Sequence, residues 1–321
     1  MVLRILFFWS ILCFSLPNVA QTCCSGGVPL SNNIGLPILE KGTIQVGLFY
    51  DYNNLNTLNR GSEILDDSNR LRTTHSVLLN LGYSITSRLS VETLLTWVNQ
   101  QRRILSNNNI DESFGIGDAI ILARYRLLEF KNWNYSIGGG VKLPLGATDR
   151  ENNLGITLNA DLQPGSNTYD AILMSSIGTY FNFRKSLNLT MRYTFRATGV
   201  NTSYLGDNDY KFGNEQQFFF IISDQFLLFK ELFESSLQLK YRNANRDVLN
   251  DNDIINTGGD WFFIRPTITY NLSKSFHVNS SVEVPLYSNV DGIQLTPTYR
   301  LNVGLTFRFL KKRKSNNNLI Y

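Results

Sequence analysis

His75 and His277 are the only imidazoles in 321 residues, so acid–base or nucleophilic chemistry would have to be built on them. Alternation puts His75 on an outward face near a strand start, where it suits a membrane interface, and turns His277 inward with Glu283 on the same face. Ser275 and Ser281 form no convincing triad with that pair, which leaves a hydrolase as the weakest of the functional readings. Metal-ligand spacing is absent, because Cys23 and Cys24 are adjacent and have no histidine nearby. A phosphate cradle at Gly115 and Gly117 would need a helix after it, and a strand pattern follows. The sequence thus points to no catalytic centre, no metal and no cofactor. Nucleic acid is excluded as a partner, since the clearest basic cluster, Lys311 to Lys314, is not interleaved with aromatics.

Charge offers more than nucleophiles do. With the polar face of each strand turned inward, Arg124, Arg126, Lys142, Arg192, Arg196, Lys240, Arg242, Arg265, Arg300 and Arg308 meet Glu92, Asp118, Asp170, Glu234 and Glu283. That wall would favour anions or carboxylate-bearing compounds through its summed field. The same side chains could equally pair with carboxylates and water and fill a polar interior, and both readings stay open. Asp118 shares a face with Arg124 and Arg126. Gly138 and Gly140 share the inward face with Lys142 while Gly139 points outward, which predicts a lumen locally widened or crossed by another segment.

These residues need strands to hold them. Leu187, Leu189, Met191, Tyr193 and Phe195 alternate with Asn188, Thr190, Arg192, Thr194 and Arg196, and Leu301 to Phe309 repeats the pattern. Short connections centre on Thr86 to Arg88, Phe130 to Trp133, Arg184 to Ser186, Phe229 to Glu231 and Ser273 to Ser275. Long ones run Asn53 to Arg70, Gln100 to Gly115, Pro144 to Thr168, Gly199 to Gly213 and Ala244 to Gly258, with a shorter Ser288 to Leu295. Short turns alternating with long loops predict an all-β transmembrane antiparallel barrel of about twelve strands, with short periplasmic turns, long extracellular loops and both termini periplasmic. Tyr52, Trp97, Trp133, Tyr135, Trp261 and Tyr270 read as an aromatic girdle at the lipid headgroups.

Charged residues make up only 17% of the chain, low for a soluble protein of this size. Arg4 followed by Ile5 to Leu16 reads as a signal peptide over residues 1–20. Residues 21–42 form an N-terminal periplasmic or lumen segment with Gly and Pro spacing unlike the strands, and Cys23 and Cys24 lie in that prospective plug. Lipid attachment at Cys23 and a plain exported thiol pair are the two alternatives there. Residues 43–309 make the barrel and 310–321 a basic tail.

Three stretches, Gly115 to Leu128 (GIGDAIILARYRLL), Gly138 to Gly146 (GGGVKLPLG) and Leu162 to Leu173 (LQPGSNTYDAIL), resemble in order the outer-membrane barrel transporters of the phenol-degradation meta-pathway family. That family is distant in kind from long-chain fatty-acid and toluene channels. The resemblance implies a passive channel for small hydrophobic or aromatic compounds in the outer membrane of a Gram-negative cell. The expected partners are outer-membrane lipid and small amphipathic solutes. A closed barrel that contacts another envelope protein is the alternative.

Overall fold

A computed structural model describes residues 21–22, 35, 37–67 and 69–309. The expected signal peptide, Cys23, Cys24 and the expected basic tail lie outside the described residues. Twelve strands close into one antiparallel barrel: β1 (Ile44–Asn54), β2 (Arg70–Ser84), β3 (Leu89–Ile104), β4 (Ala119–Phe130), β5 (Trp133–Leu143), β6 (Asp170–Phe181), β7 (Arg184–Ala197), β8 (Glu215–Leu228), β9 (Glu231–Ala244), β10 (Gly259–Asn271), β11 (Phe276–Thr296) and β12 (Tyr299–Phe309). Each strand pairs with its sequence neighbour, and β12 returns to β1 with Ile44 opposite Phe309. Closure leaves no wall strand without a partner on either side, as a lipid-immersed sheet requires.

Strand alternation sets the two faces. On β1, Gln45, Phe49 and Asp51 are buried inside while Ile44, Leu48 and Tyr50 are exposed outside. On β12, Asn302 and Thr306 are buried whereas Leu301, Val303, Phe307 and Phe309 are exposed. An apolar surface repeated around a whole barrel would be untenable in water and is what hydrocarbon solvates. His75 lies on this outer face, where its Nδ1 is 2.7 Å from the Tyr50 hydroxyl.

Several connections differ from the sequence reading. The turn expected at Arg184 to Ser186 falls at Asn182 and Phe183, because β7 begins at Arg184. The expected loop from Ser288 to Leu295 is mostly strand: β11 is 21 residues long, about twice what crosses a membrane. Its outer extension pairs with Thr57–Gly61, which pairs in turn with Glu63–Leu65. Asn109–Ile116 likewise continues the upper half of β3. Asn201–Tyr204, Asn208–Lys211, Val248–Leu249 and Asn252–Asp253 form a separate small outer sheet. The long loops are therefore largely hydrogen-bonded ribbons standing above the membrane.

One member of the expected girdle is misplaced. Trp261 is fully buried on the lumen face, packed on Phe263 and Val290 with the Arg242 guanidinium 4.6 Å over its ring. The run Asp260 to Phe263 is aromatic on both faces, so alternation alone could not choose a side. Trp97 and Trp133, by contrast, are exposed on the outer surface.

Candidate functional site: a two-faced lumen

The three motifs that carried the family resemblance converge on one buried cluster at the outer mouth. The first strand pairing of β4 with β3 ends near Ile120, and Gly117 and Asp118 interrupt the continuation toward Asn109–Ile116. Asp118 turns wholly inside, where its Oδ2 accepts from Lys142 Nζ at 2.7 Å and from Ser166 Oγ at 2.6 Å, and its Oδ1 from the Gly146 amide at 3.1 Å. Lys142 also donates to Ser166 and reaches Asp170 Oδ2 at 3.2 Å. Arg196 bridges Asp170 and Glu215, each at 3.7 Å, and Glu215 receives Arg242 at 3.0 Å. Gly146 and Gly165 must both lack a side chain, since a Cβ on either would meet the other's backbone at 2.6 Å or less.

This cluster fastens the 144–168 connection into the mouth of the barrel. Arg72, fully buried on β2, pairs with Asp161 and donates to the Asp161 carbonyl at 2.6 Å and to Gln100 Oε1 at 3.1 Å. Gln100 donates to the Gln163 carbonyl at 3.1 Å, and Ser113 donates to the Leu162 carbonyl. Leu162 and Gln163 are buried as a result. The stretch expected as an outer loop thus folds inward.

A second network lines the wall between β9 and β1. Lys240 meets Glu283 at 2.6 Å, Arg300 meets Asp51 at 2.6 Å, and Arg265 donates to Ser281 Oγ at 2.8 Å. Ser281 is thereby engaged by a guanidinium, while His277 Nδ1 lies 2.5 Å from Asn271 Oδ1 near the periplasmic turn. Neither arrangement aligns a base with a nucleophile. Arg308 stands apart at the periplasmic end of β12, its backbone amide bonded to the Ser275 carbonyl.

Deeper in the lumen the remaining predicted cations gather. Arg192 stacks on Phe219 at 4.3 Å, and the charge of Glu92 acts on both Arg124 and Arg192. Arg124 has room because Gly138 carries no side chain: a Cβ there would lie 3.0 Å from the Arg124 Cγ. The space expected at Gly138 and Gly140 is therefore filled, by Arg124, Leu122 and Met174, while nothing lies within 4 Å of a Cβ at outward Gly139.

Beside these charges is a feature that polar-face reasoning missed. Phe49, Leu78, Leu94, Ile120, Leu122, Ile172 and Met174, from β1, β2, β3, β4 and β6, form a buried apolar cluster inside the barrel. The Phe49 ring lies across the glycine positions 47 and 304, where a Cβ would approach it to 2.5 and 2.1 Å. The Leu78–Leu79 and Leu94–Leu95 doublets and the Ile120–Leu122 run were the available signal, because each is apolar on both faces. Asp51, Glu215, Arg72 and Asp161 were also missed as members of the charged networks.

Described parts of the N-terminal segment hydrogen-bond to β2, β3 and β4. The Gly35 amide donates to Glu92 Oε1 at 2.6 Å, Arg126 donates to the Ile38 carbonyl at 3.0 Å, and the Leu39 amide donates to Ser84 Oγ at 3.1 Å. At the other end of the barrel, Gln21 and Thr22 pair in parallel with Gln294 and Leu295 of β11.

Residues 49–296 match the family model for the MetA pathway of phenol degradation. No curated protein matches the chain. Among solved structures, an outer-membrane channel from Pseudomonas putida aligns at 14% identity with a TM-score of 0.67, covering 88% of this chain and all of the other. The β domain of the Bordetella autotransporter BrkA (12% identity, TM-score 0.49, 84% of this chain and all of the other) and the CymD monoaromatic hydrocarbon channel (12% identity, TM-score 0.41, 92% of this chain and all of the other) are more remote. Barrel closure and the outward apolar band place this protein in the bacterial outer membrane, with a fold like that of an outer-membrane channel.

Proposed function

The chain belongs to the MetA-pathway family of phenol degradation, and from that premise and the lumen geometry we propose that this outer-membrane channel admits small amphipathic acids, aromatic carboxylates among them. The observation that carries the reading is the make-up of the lumen wall: an apolar cluster around Phe49 and Met174 adjoins Arg124 and Arg192, the latter stacked on Phe219. An apolar body can leave water against the first while its carboxylate is met by the guanidiniums, which suit that group's planar geometry. Neither a plain polar solute nor a pure hydrocarbon would use both.

Selectivity belongs to the mid-lumen cations. The outer cluster of Asp118, Lys142, Asp170, Arg196, Glu215 and Arg242 holds the mouth in shape, its charges consumed by one another. Lys240, Arg265, Glu283 and Arg300 balance similarly along the wall, and Arg308 meets solute at the periplasmic exit. Residues 21–42 serve as a plug, supported by the Gly35, Ile38 and Leu39 contacts and by the Gln21–Thr22 pairing at the far end. Passage is passive. A flux assay in proteoliposomes tests the reading: benzoate should enter faster than benzylammonium of similar size, and deletion of residues 21–42 should raise both rates without preventing insertion. Equal exclusion of both solutes, with the segment present or removed, would favour a closed structural barrel.

A further inference from the structure

We propose that the periplasmic end of the lumen holds an exit subsite for a hydroxylated aromatic acid, in which Arg308 and the Gln45 amide take the carboxylate and His277 Nε2 accepts the cargo's hydroxyl. The inference rests on the amphipathic-acid reading and narrows its class of solute.

Strand register brings these side chains together. Gln45 on β1 stands opposite Arg308 on β12, and one row further into the lumen Gly47 stands opposite Thr306, which is itself opposite His277 on β11. Side chains directly opposite each other start about 5 Å apart, and the two rows are separated by about 7 Å along the strands. The Phe49 ring lies across Gly47, so the patch begins where the apolar cluster ends.

Unfilled hydrogen-bonding capacity marks the patch. Gln45 is 3% exposed, yet neither its Nε2 nor its Oε1 has a partner. His277 is 9% exposed, and its Nδ1 donates to Asn271 Oδ1 at 2.5 Å, which leaves Nε2 an acceptor with no donor. Arg308 Nε donates to nothing, and Arg308 makes no ion pair among the described residues. Glu234, the carboxylate whose charge reaches Arg308, is engaged by Gln225 Nε2 at 3.2 Å. Buried polar groups without partners are costly, and three of them on adjacent strands mark a place for a ligand.

The mixture of donors and acceptors sets that ligand's chemistry. An anion alone would suit Arg308 and the Gln45 amide but would face the His277 lone pair. A hydroxyl alone would leave the guanidinium without a counter-charge. A ring with a carboxylate at one end and a hydroxyl at the other spans the two rows and satisfies both.

The chain's two histidines supply probe and reference, since His277 is buried on the lumen side and His75 bonds Tyr50 on the lipid face. In full-length protein carrying isotopically labelled histidine in nanodiscs, 4-hydroxybenzoate should shift the His277 Nε2 resonance saturably and leave His75 unmoved. Benzoate should need about ten times the concentration, the scale of one lost hydrogen bond to a buried group. Arg308→Gln should raise half-saturation by about tenfold as well, and Gln45→Met should raise it while the heat-modifiable gel shift still reports a folded barrel. A His277 resonance that ignores 4-hydroxybenzoate, in protein that passes it in flux, would overturn the subsite. Equal response to benzoate would overturn the role of the hydroxyl, and equal response to 4-hydroxybenzyl alcohol that of the carboxylate. An equal shift with inorganic phosphate would reduce the place to a general anion site and overturn its assignment to cargo. Failure of both acids to cross the barrel is a separate result, against the reading on which the subsite rests.

Discussion

Replacing Lys142 by Met should open the outer mouth without unfolding the barrel. The Lys142 ammonium is 1% exposed and lies 2.7 Å from Asp118 and 3.2 Å from Asp170, both themselves buried. With an effective dielectric of about 20, those pairs attract by about 6 and 5 kcal/mol before desolvation is subtracted. Removing the cation strands two neighbouring carboxylates in a buried site, and breaking such a pair costs about 3–5 kcal/mol. Asp118 also holds the Gly146 amide and the Ser166 amide and hydroxyl, so the cost falls on the 144–168 connection and not on the strand ladder. Amide exchange over residues 144–168 in nanodiscs should accelerate by about two to four powers of ten, while the wall strands keep their protection. Adding Asp118→Asn and Asp170→Asn should recover part of the loss, because the stranded charges are then gone. Exchange within about twofold of wild type in Lys142→Met would refute the claim that this cluster fastens the mouth.

Gly140→Ala should cut the yield of folded barrel sharply, because its Cβ would sit 2.2 Å from the Ile121 carbonyl oxygen, whereas Gly139→Ala, with nothing within 4 Å, should fold as wild type; heat-modifiable gel mobility separates the two. The outer sheet should be firmer in acid. Burial raises the Asp247 carboxyl from 3.8 to about 6, even though the Tyr210 hydroxyl at 2.6 Å and the Gly213 amide at 2.8 Å oppose the shift. The folded loops bind that proton more tightly than unfolded ones, so the stabilisation is full below about pH 4 and is lost as pH rises through about 6. The shift corresponds to at most about 3 kcal/mol, reduced because Asp247 as a residue is partly exposed. Exchange over residues 200–213, corrected for intrinsic rate, should be slower at pH 5 than at pH 7.5, and Asp247→Asn should flatten the difference; the opposite order would contradict it.

The lipid-facing half of this fold was legible because a membrane demands apolar residues at every second position, and Leu187 to Phe195 obeys without exception. Five short turns were found for the same reason, since the pattern stops at each of them, although Arg184 proved to be strand. The interior was harder. Arg72 and Asp161 are 89 residues apart and Asp51 and Arg300 249 apart, and no local signal marks either pair. Pro164, Gly165 and Ser166 read as an outer loop because turn residues look alike whether the chain turns toward solvent or into a lumen. The apolar cluster was hidden by the rule that exposed the lipid face: inward residues were sought among the polar ones, and Leu78, Leu94 and Leu122 were left outside that search. Family motifs located the outer cluster as a stretch of sequence, but its chemistry became readable only once Asp118, Lys142 and Ser166 met.

The central claim is that paired mid-lumen arginines make this a channel for amphipathic anions, and reversal potential in a sodium benzoate gradient measures it most directly. In a wet lumen each guanidinium contributes about 1 kcal/mol to the preference for an anion, a factor of about five. Arg124 and Arg192 are the pair to neutralise. Arg196 is unsuited, since it bridges Asp170 and Glu215 in the mouth cluster and its loss would disturb structure as well as selectivity. Wild-type protein in planar bilayers should pass benzoate in preference to sodium, and the Arg124→Gln, Arg192→Gln variant should lose that preference several-fold while keeping its conductance. A wild type that carries no benzoate current, or a variant whose reversal potential equals that of the wild type, would contradict the account.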